Sequence, residues 1–156
     1  MKLITIVFLV LIFTAATSFA AEKGIGETGE AFVKAFKAND LEGIVSLYAP
    51  DAVLFPPDAV EAVGKDAIRA SYAGMLNAFT VQDITIIDAH HETHADLSFS
   101  WGRYSVSMAP KAGGDPVQME GRFTDVSKRI NGKWLYVTDH ASVPFTPPTQ
   151  TAPAQK

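Results

Sequence analysis

The sequence predicts an α+β domain in which helices pack on one face of a curved antiparallel sheet. Three observations carry that prediction. Apolar residues recur at helical spacing only between residues 27 and 79. After Thr80 the chain turns to β-branched and alternating patterns. An Asn131-Gly132 pair separates two of those patterns, the strongest short-range hairpin signal. Helices first and strands afterwards is the order of an α+β fold rather than an alternating α/β one.

Each element has its own reason. Residues 27–38 read as a helix with Phe32, Ala35 and Phe36 on one side, broken by Asn39-Asp40. Asp40 is an N-cap for a second short helix, because Leu41, Ile44, Val45 and Tyr48 fall at i, i+3, i+4 and i+7. Ala49-Pro50-Asp51 is expected to end that helix. Ala52–Phe55 then form a short strand closed by Pro56-Pro57. A third helix runs from about Lys65 to Ala78, with Ile68, Tyr72, Met75, Leu76 and Phe79 as its apolar stripe. The segment VQDITIIDAHH is strand-like. ADLSFSWGRYSVSM alternates, with Leu97, Phe99, Trp101 and Arg103 on one face and Ser98, Ser100, Gly102 and Tyr104 on the other. PVQMEGRFTDVSKRI and KWLYVTDHASV complete the sheet, and KAGGDP is a further turn.

The start and end of the chain stand apart. Met1-Lys2 precedes an apolar run over Leu3–Phe13, and Ser18 and Ala20 occupy the positions that a signal peptidase reads. Residues 1–20 are therefore expected to be a signal peptide cut after Ala20, which places the protein in the periplasm or outside the cell. The run is shorter than the ~20 residues of a bilayer span, so no membrane attachment is expected after cleavage. Residues 21–145 form one domain by size. Residues 146–156, rich in proline, are expected to be a disordered tail. The chain has no cysteine, so burial alone must hold the fold. Without Lys2 there are 12 basic and 17 acidic residues, a balance that argues against a nucleic-acid partner.

His90, His91 and His94 crowd into HHETH. The motif is one residue short of the helical H-E-x-x-H zinc pattern, and a zinc site needs three or four convergent ligands with outer support. The segment is read as a solvated strand end and turn, with no metal. Nothing in the sequence calls for a cofactor.

A resemblance enters on two stretches. KANDLEGIVSLYAPDAVLFPP with VGKDAIRASYAGML resembles the opening of the nuclear transport factor two-like superfamily, and RINGKWLYVTDHASVP resembles its closing hairpin. That superfamily includes ketosteroid isomerases, SnoaL-like cyclases and the association domain of calcium/calmodulin-dependent kinase. The resemblance spans about residues 27–143. It implies a cystatin-like or SnoaL-like cone, with a bent sheet wrapped on three N-terminal helices and a pocket between them. It also implies homodimers through the sheet. Against the isomerases, Phe32 stands where the donor tyrosine belongs and Pro56 where the base belongs. Asp125 is the candidate for the third group. Phenylalanine has no hydroxyl and proline no proton acceptor, so that isomerase route is rejected.

Seven residues are singled out for ligand contact. Tyr48, at the end of the second helix, and Tyr72, on the third, belong to apolar stripes; a core tyrosine with its hydroxyl at the rim is the plain alternative. Phe55 lies where the cone opens, where packing alone would also account for it. By the resemblance, Trp101 replaces a pocket arginine of the association domain, and Arg103 supplies a cation two residues on. Arginine suits carboxylate or phosphate; a rim position or a pairing with Asp125 is the alternative. His140 shares a face with Trp134, Tyr136 and Thr138 if the strand is regular, and is the candidate general acid or base together with Asp125. A structural hydrogen bond is its alternative. A relay of Ser142, His140 and Asp139 is excluded, because a triad needs its acid behind the imidazole.

The sequence thus points to an exported domain holding a small, largely apolar molecule, or to a weak isomerase, cyclase or hydrolase. The rival reading is a non-catalytic homodimerisation or interaction module. A cavity of about 300 Å3 or more with Arg103, Asp125 and His140 converging on it would favour the first.

Overall fold

The computed structural model describes residues 22–57 and 59–144. The leader expected over residues 1–20 and the tail expected over 146–156 lie outside the described residues. The elements run β1 (Glu22–Lys23), α1 (Gly26–Lys37), α2 (Leu41–Ser46), β2 (Tyr48–Phe55), β3 (Ala62–Val63), α3 (Lys65–Ala78), β4 (Phe79–His94), β5 (Leu97–Pro110), β6 (Val117–Ile130) and β7 (Lys133–Ser142). One sheet has the order β1-β4-β5-β6-β7-β2-β3. The three helices cover its concave face, and the core lies between. No helix among the described residues is long and apolar enough to cross a membrane.

Local chemistry explains the helical half. The Asp40 carboxylate accepts the Gly43 N–H at 2.9 Å, capping α2 as its sequence position requires. Asn39 takes a positive φ of 56° and turns its amide on the edge of β4. Its Nδ2 donates to the Val81 carbonyl at 3.0 Å, and its Oδ1 accepts the Val81 N–H at 2.8 Å. The side chain imitates a neighbouring strand and fixes α1 against the sheet. Phe32 and Phe36, one turn apart on α1, stack at 5.3 Å and bury their faces towards Tyr72.

The second helix is shorter than the sequence pattern suggests. It ends at Ser46, and Tyr48 opens β2, which runs through Ala49, Pro50 and Asp51. The i, i+7 spacing survives because a short helix followed by a strand still buries Ile44, Val45 and Tyr48 on one side. Pro50 is tolerated because the β2–β7 pairing shifts register between Tyr48 and Val53. That pairing is parallel, so the sheet is mixed rather than wholly antiparallel.

The long strands β4 to β7 are antiparallel neighbours. Asn131 and Gly132 both have positive φ, 51° and 81°, as the tight β6–β7 turn demands. β4 does not stop at His91 but pairs with β5 as far as His94, leaving Ala95-Asp96 as the turn. Register shifts at Gln82 and Ile87 of β4 and at Val137 of β7 bend the sheet. Each added residue increases local twist and reverses which side chains face inward. Gly121 sits opposite Tyr104, and a side chain there would collide with the Tyr104 ring and the Ser142 carbonyl. The missing side chain lets Tyr104 lie across the inner face.

Candidate functional site

A cavity of about 200 Å3 lies between α1, α3 and the concave face of the sheet. Its walls are almost wholly apolar: Phe32 and Phe36 from α1, Met75 from α3, Ile84 and Ile86 from β4, Phe123 from β6. Pro56 and Pro57 also line it. Met75, Met108 and Met119, every methionine after Met1, line the cavity. Methionine is flexible and polarisable, so such a wall adapts to its contents. Among the described residues, the lining contains no lysine, arginine or histidine.

Two acids and three tyrosines gather at one end; Ser71 and Tyr104 also line the cavity, Tyr104 over Gly121, four residues along β6 from Asp125. Asp125 on β6 and Asp139 on β7 are directly opposed across the strand pair, and both are buried. The Tyr48 hydroxyl donates a hydrogen bond to Asp139 Oδ2. The Tyr72 hydroxyl lies 2.8 Å from that of Tyr48 and 3.4 Å from Asp139 Oδ2. Tyr136 packs its ring on Tyr48 at 5.3 Å. Helix α3 thus brings Tyr72, and strand β2 brings Tyr48, onto an acid carried by β7.

Burial dominates the electrostatics. It pushes the Asp125 carboxyl well above the usual carboxylate range, and the nearby Asp139 charge and the side-chain hydrogen bond with Asp139 add to the rise. Asp139 is also raised by burial, but hydrogen bonds from Tyr48, Asp125 and Tyr72 pull it back. The environments separate two adjacent acids: Asp125 keeps the proton, and Asp139 is the carboxylate. Asp125 Oδ1 is buried with no hydrogen-bond partner among the described residues. A proton held between the two carboxyls relieves the cost of such an orphan. Burial likewise raises Tyr48, Tyr72 and Tyr136 well above the ordinary phenol range, so all three are neutral O–H groups.

The residues singled out in the sequence divide sharply. Tyr72 and Asp125 line the cavity, and Tyr48 holds its polar end from behind. Phe55, Trp101, Arg103 and His140 lie outside it. Trp101 and Phe55 are exposed on the outer face, with 37% and 42% of their surface open. On β5 the inner face is the one bearing Ser98, Ser100, Gly102 and Tyr104. Those small side chains accept the first turn of α1, where Ser100 Oγ donates to the Ile25 carbonyl at 3.1 Å. The large residues on the opposite face are excluded by that close approach, which takes Trp101 and Arg103 away from the cavity.

His140 is exposed, and its ring meets that of Phe55 edge-on at 5.9 Å. The strand is not regular. Val137 is the extra residue between the pairs Val126–Thr138 and Ser127–Tyr136. Tyr136 faces inward before it, Asp139 after it, and His140 is turned out. Asp139 is therefore the functional candidate that sequence alternation missed. Its one signal was the juxtaposition of two aspartates in strands joined by a tight hairpin. Arg103, Asp125 and His140 do not converge, and the cavity is smaller than the 300 Å3 set as a criterion. The site now rests on Asp125, Asp139 and the tyrosines. His90, His91 and His94 lie along β4; among the described residues no group of three histidine, aspartate or glutamate side chains is gathered for a metal.

Relatives support the fold. No curated protein matches the chain. Among solved structures, a ketosteroid isomerase-like protein from Erwinia carotovora atroseptica superposes with a TM-score of 0.66 at 21% identity, covering 76% of this chain and 92% of that one. A nuclear transport factor 2-like superfamily protein from Salmonella enterica gives 0.67 at 14% identity, covering 80% and 92%. A calcium/calmodulin-dependent protein kinase II association-like domain from Xanthomonas campestris gives 0.60 at 20% identity, covering 74% and 82%. At these identities the likeness concerns the fold, and it agrees with the cone implied by the sequence. The profile of the SnoaL-like domain matches residues 30–137, most of the chain, and the protein belongs to that family.

Proposed function

We propose that this protein is an exported receptor for a small, largely apolar molecule held inside the cone. The observation that carries the reading is a largely apolar cavity of about 200 Å3 with its two acids, Asp125 and Asp139, together in one part of the wall. An apolar cavity of roughly 150 Å3 takes benzene, so this one suits a skeleton of one or two rings. Concave apolar sites with a few convergent polar groups are the usual form of a small-molecule site. The methionine-lined wall favours adaptable binding. Export rests on the leader-like Met1–Ala20.

Binding takes precedence over turnover. Asp125 and Asp139 supply one acid and one base, the minimum for a slow isomerase, cyclase or hydrolase. Each is engaged by the other, however, and Asp139 also accepts from Tyr48, which weakens it as a base. Native mass spectrometry of protein purified from its own host tests the reading. The expected spectrum contains a non-covalent adduct of a small organic molecule, lost when the cavity is filled by Phe123→Trp. An adduct-free spectrum, with no saturable uptake of added apolar ligands, contradicts it.

One observation favours a second role beside the first. Ile87, Phe99, Trp101 and Phe55 are exposed on or beside the outer sheet face, and the His90 and Trp101 rings stack there at 5.9 Å. Such a face suits homodimerisation through the sheet. The subunit count in the same spectrum tests it.

A further inference from the structure

We propose, resting on the receptor reading above, that the cavity selects a neutral ring-bearing alcohol or phenol and rejects carboxylates and ketones of the same shape. The argument counts protons. Tyr48 has one, and its hydrogen bond commits it to Asp139 Oδ2. The 2.8 Å contact between Tyr48 and Tyr72 must then use the proton of Tyr72. Asp125 turns its proton on the opposed Asp139. Two protons are then spent on the Asp139 carboxylate and the third on the Tyr48 oxygen, and none is left on these groups for a ligand. Tyr72 lines the cavity and keeps free lone pairs on its oxygen, so it can only accept.

Tyr136 completes the end. It lines the cavity, and its hydroxyl has no hydrogen-bond partner among the described residues. It supplies one free donor beside an acceptor. At this end, away from the other lining hydroxyls of Ser71 and of Tyr104 over Gly121, a hydroxyl is the neutral group that satisfies both, donating to Tyr72 and accepting from Tyr136. A ketone accepts only and leaves the Tyr72 acceptor unmatched. A carboxylate brings a second negative charge beside Asp139, in a lining that holds no cation. An amine cation meets a carboxylate already engaged by Tyr48 and Asp125. This arrangement inverts the isomerase plan, in which tyrosine and aspartic acid donate outward to a substrate oxygen.

The test is calorimetric titration of the purified protein with indane, 1-indanol, 1-indanone, 1-aminoindane and indane-1-carboxylate at neutral pH. Indanol is expected to bind about tenfold more tightly than indanone, the worth of one matched hydrogen bond. The amine is expected to bind more weakly than indanol, and the carboxylate not at all. Tyr72→Phe should bring indanol to within about twofold of indanone without changing indane, whose affinity reports that the cavity survives. Tyr136→Phe should weaken indanol and indanone together, again sparing indane. The inference is overturned if indane binds while indanone, the amine or the carboxylate equals indanol, or if Tyr72→Phe leaves the preference for indanol intact. Failure of every compound, indane included, overturns the receptor reading and this inference with it.

Discussion

Asp125→Asn should stabilise the protein, and increasingly so as pH rises. Asp125 is buried opposite Asp139, and burial holds its native pKa well above the unfolded carboxylate value. An acid raised in this way leaves stability fully present below the unfolded pKa and drains it as pH climbs towards the native pKa. The native pair retains one proton that the unfolded chain releases above about pH 4. Wild-type stability should therefore fall, relative to a non-titrating partner, by about 1.4 kcal/mol for each pH unit over which that proton is kept. Two units amount to about 2.7 kcal/mol, a large part of the 5–15 kcal/mol typical of a domain. Asparagine has the shape of the protonated acid, and its amide can donate to Asp139. Urea denaturation of both proteins from pH 4.5 upwards measures the difference, in which contributions from groups outside the Asp125–Asp139 pair cancel. A difference that is flat with pH, or that narrows, would refute the shared proton.

Three further outcomes follow from the same geometry. Tyr48→Phe removes a donor from a fully buried carboxylate and should cost about 2 kcal/mol in denaturant titration, as expected for a hydrogen bond to a charged group; a loss under about 0.5 kcal/mol would place the charge elsewhere. Gly121→Ala drives a methyl group into the Tyr104 ring and should cost about 1–3 kcal/mol, with a visible change in near-ultraviolet circular dichroism. His140→Ala, outside the cavity, should leave indane affinity unchanged, whereas Trp101→Ser on the outer face should weaken self-association by about tenfold in sedimentation analysis if the sheet pairs with a second copy.

Much of the fold was legible because several local signals agreed. Asp40 reads as a cap and caps; Asn131-Gly132 reads as a tight hairpin and takes two positive φ values; Lys65–Ala78 reads as a helix and is one. The candidate site was legible only in part, for a geometric reason. Alternation says which residues share a face, and Ser98, Ser100, Gly102 and Tyr104 do share one. It does not say which face is inside when large side chains occupy one and small ones the other. Here the close approach of α1 selects the small side, so size misled. Period-2 reasoning also fails past a bulge: Val137 adds one residue, and Asp139 rather than His140 enters the core. No local residue type announces that bulge. Tyr48 was recognised as interior for the right burial but placed on the wrong element, because a short helix running into a strand imitates a longer helical stripe.

Methionine methyl groups offer the most direct test of the central claim. Apart from Met1, the chain has three methionines, one on α3, one on β5 and one on β6, and all of them line the cavity. Protein labelled with 13C at the methionine methyls, titrated with 1-indanol, should show saturable shifts of the Met75, Met108 and Met119 signals with a common dissociation constant, and Tyr72→Phe should weaken that constant. Unmoved methionine signals in the presence of a ligand that calorimetry shows to bind would mean that the molecule sits elsewhere, and the cavity would lose its claim to be the site.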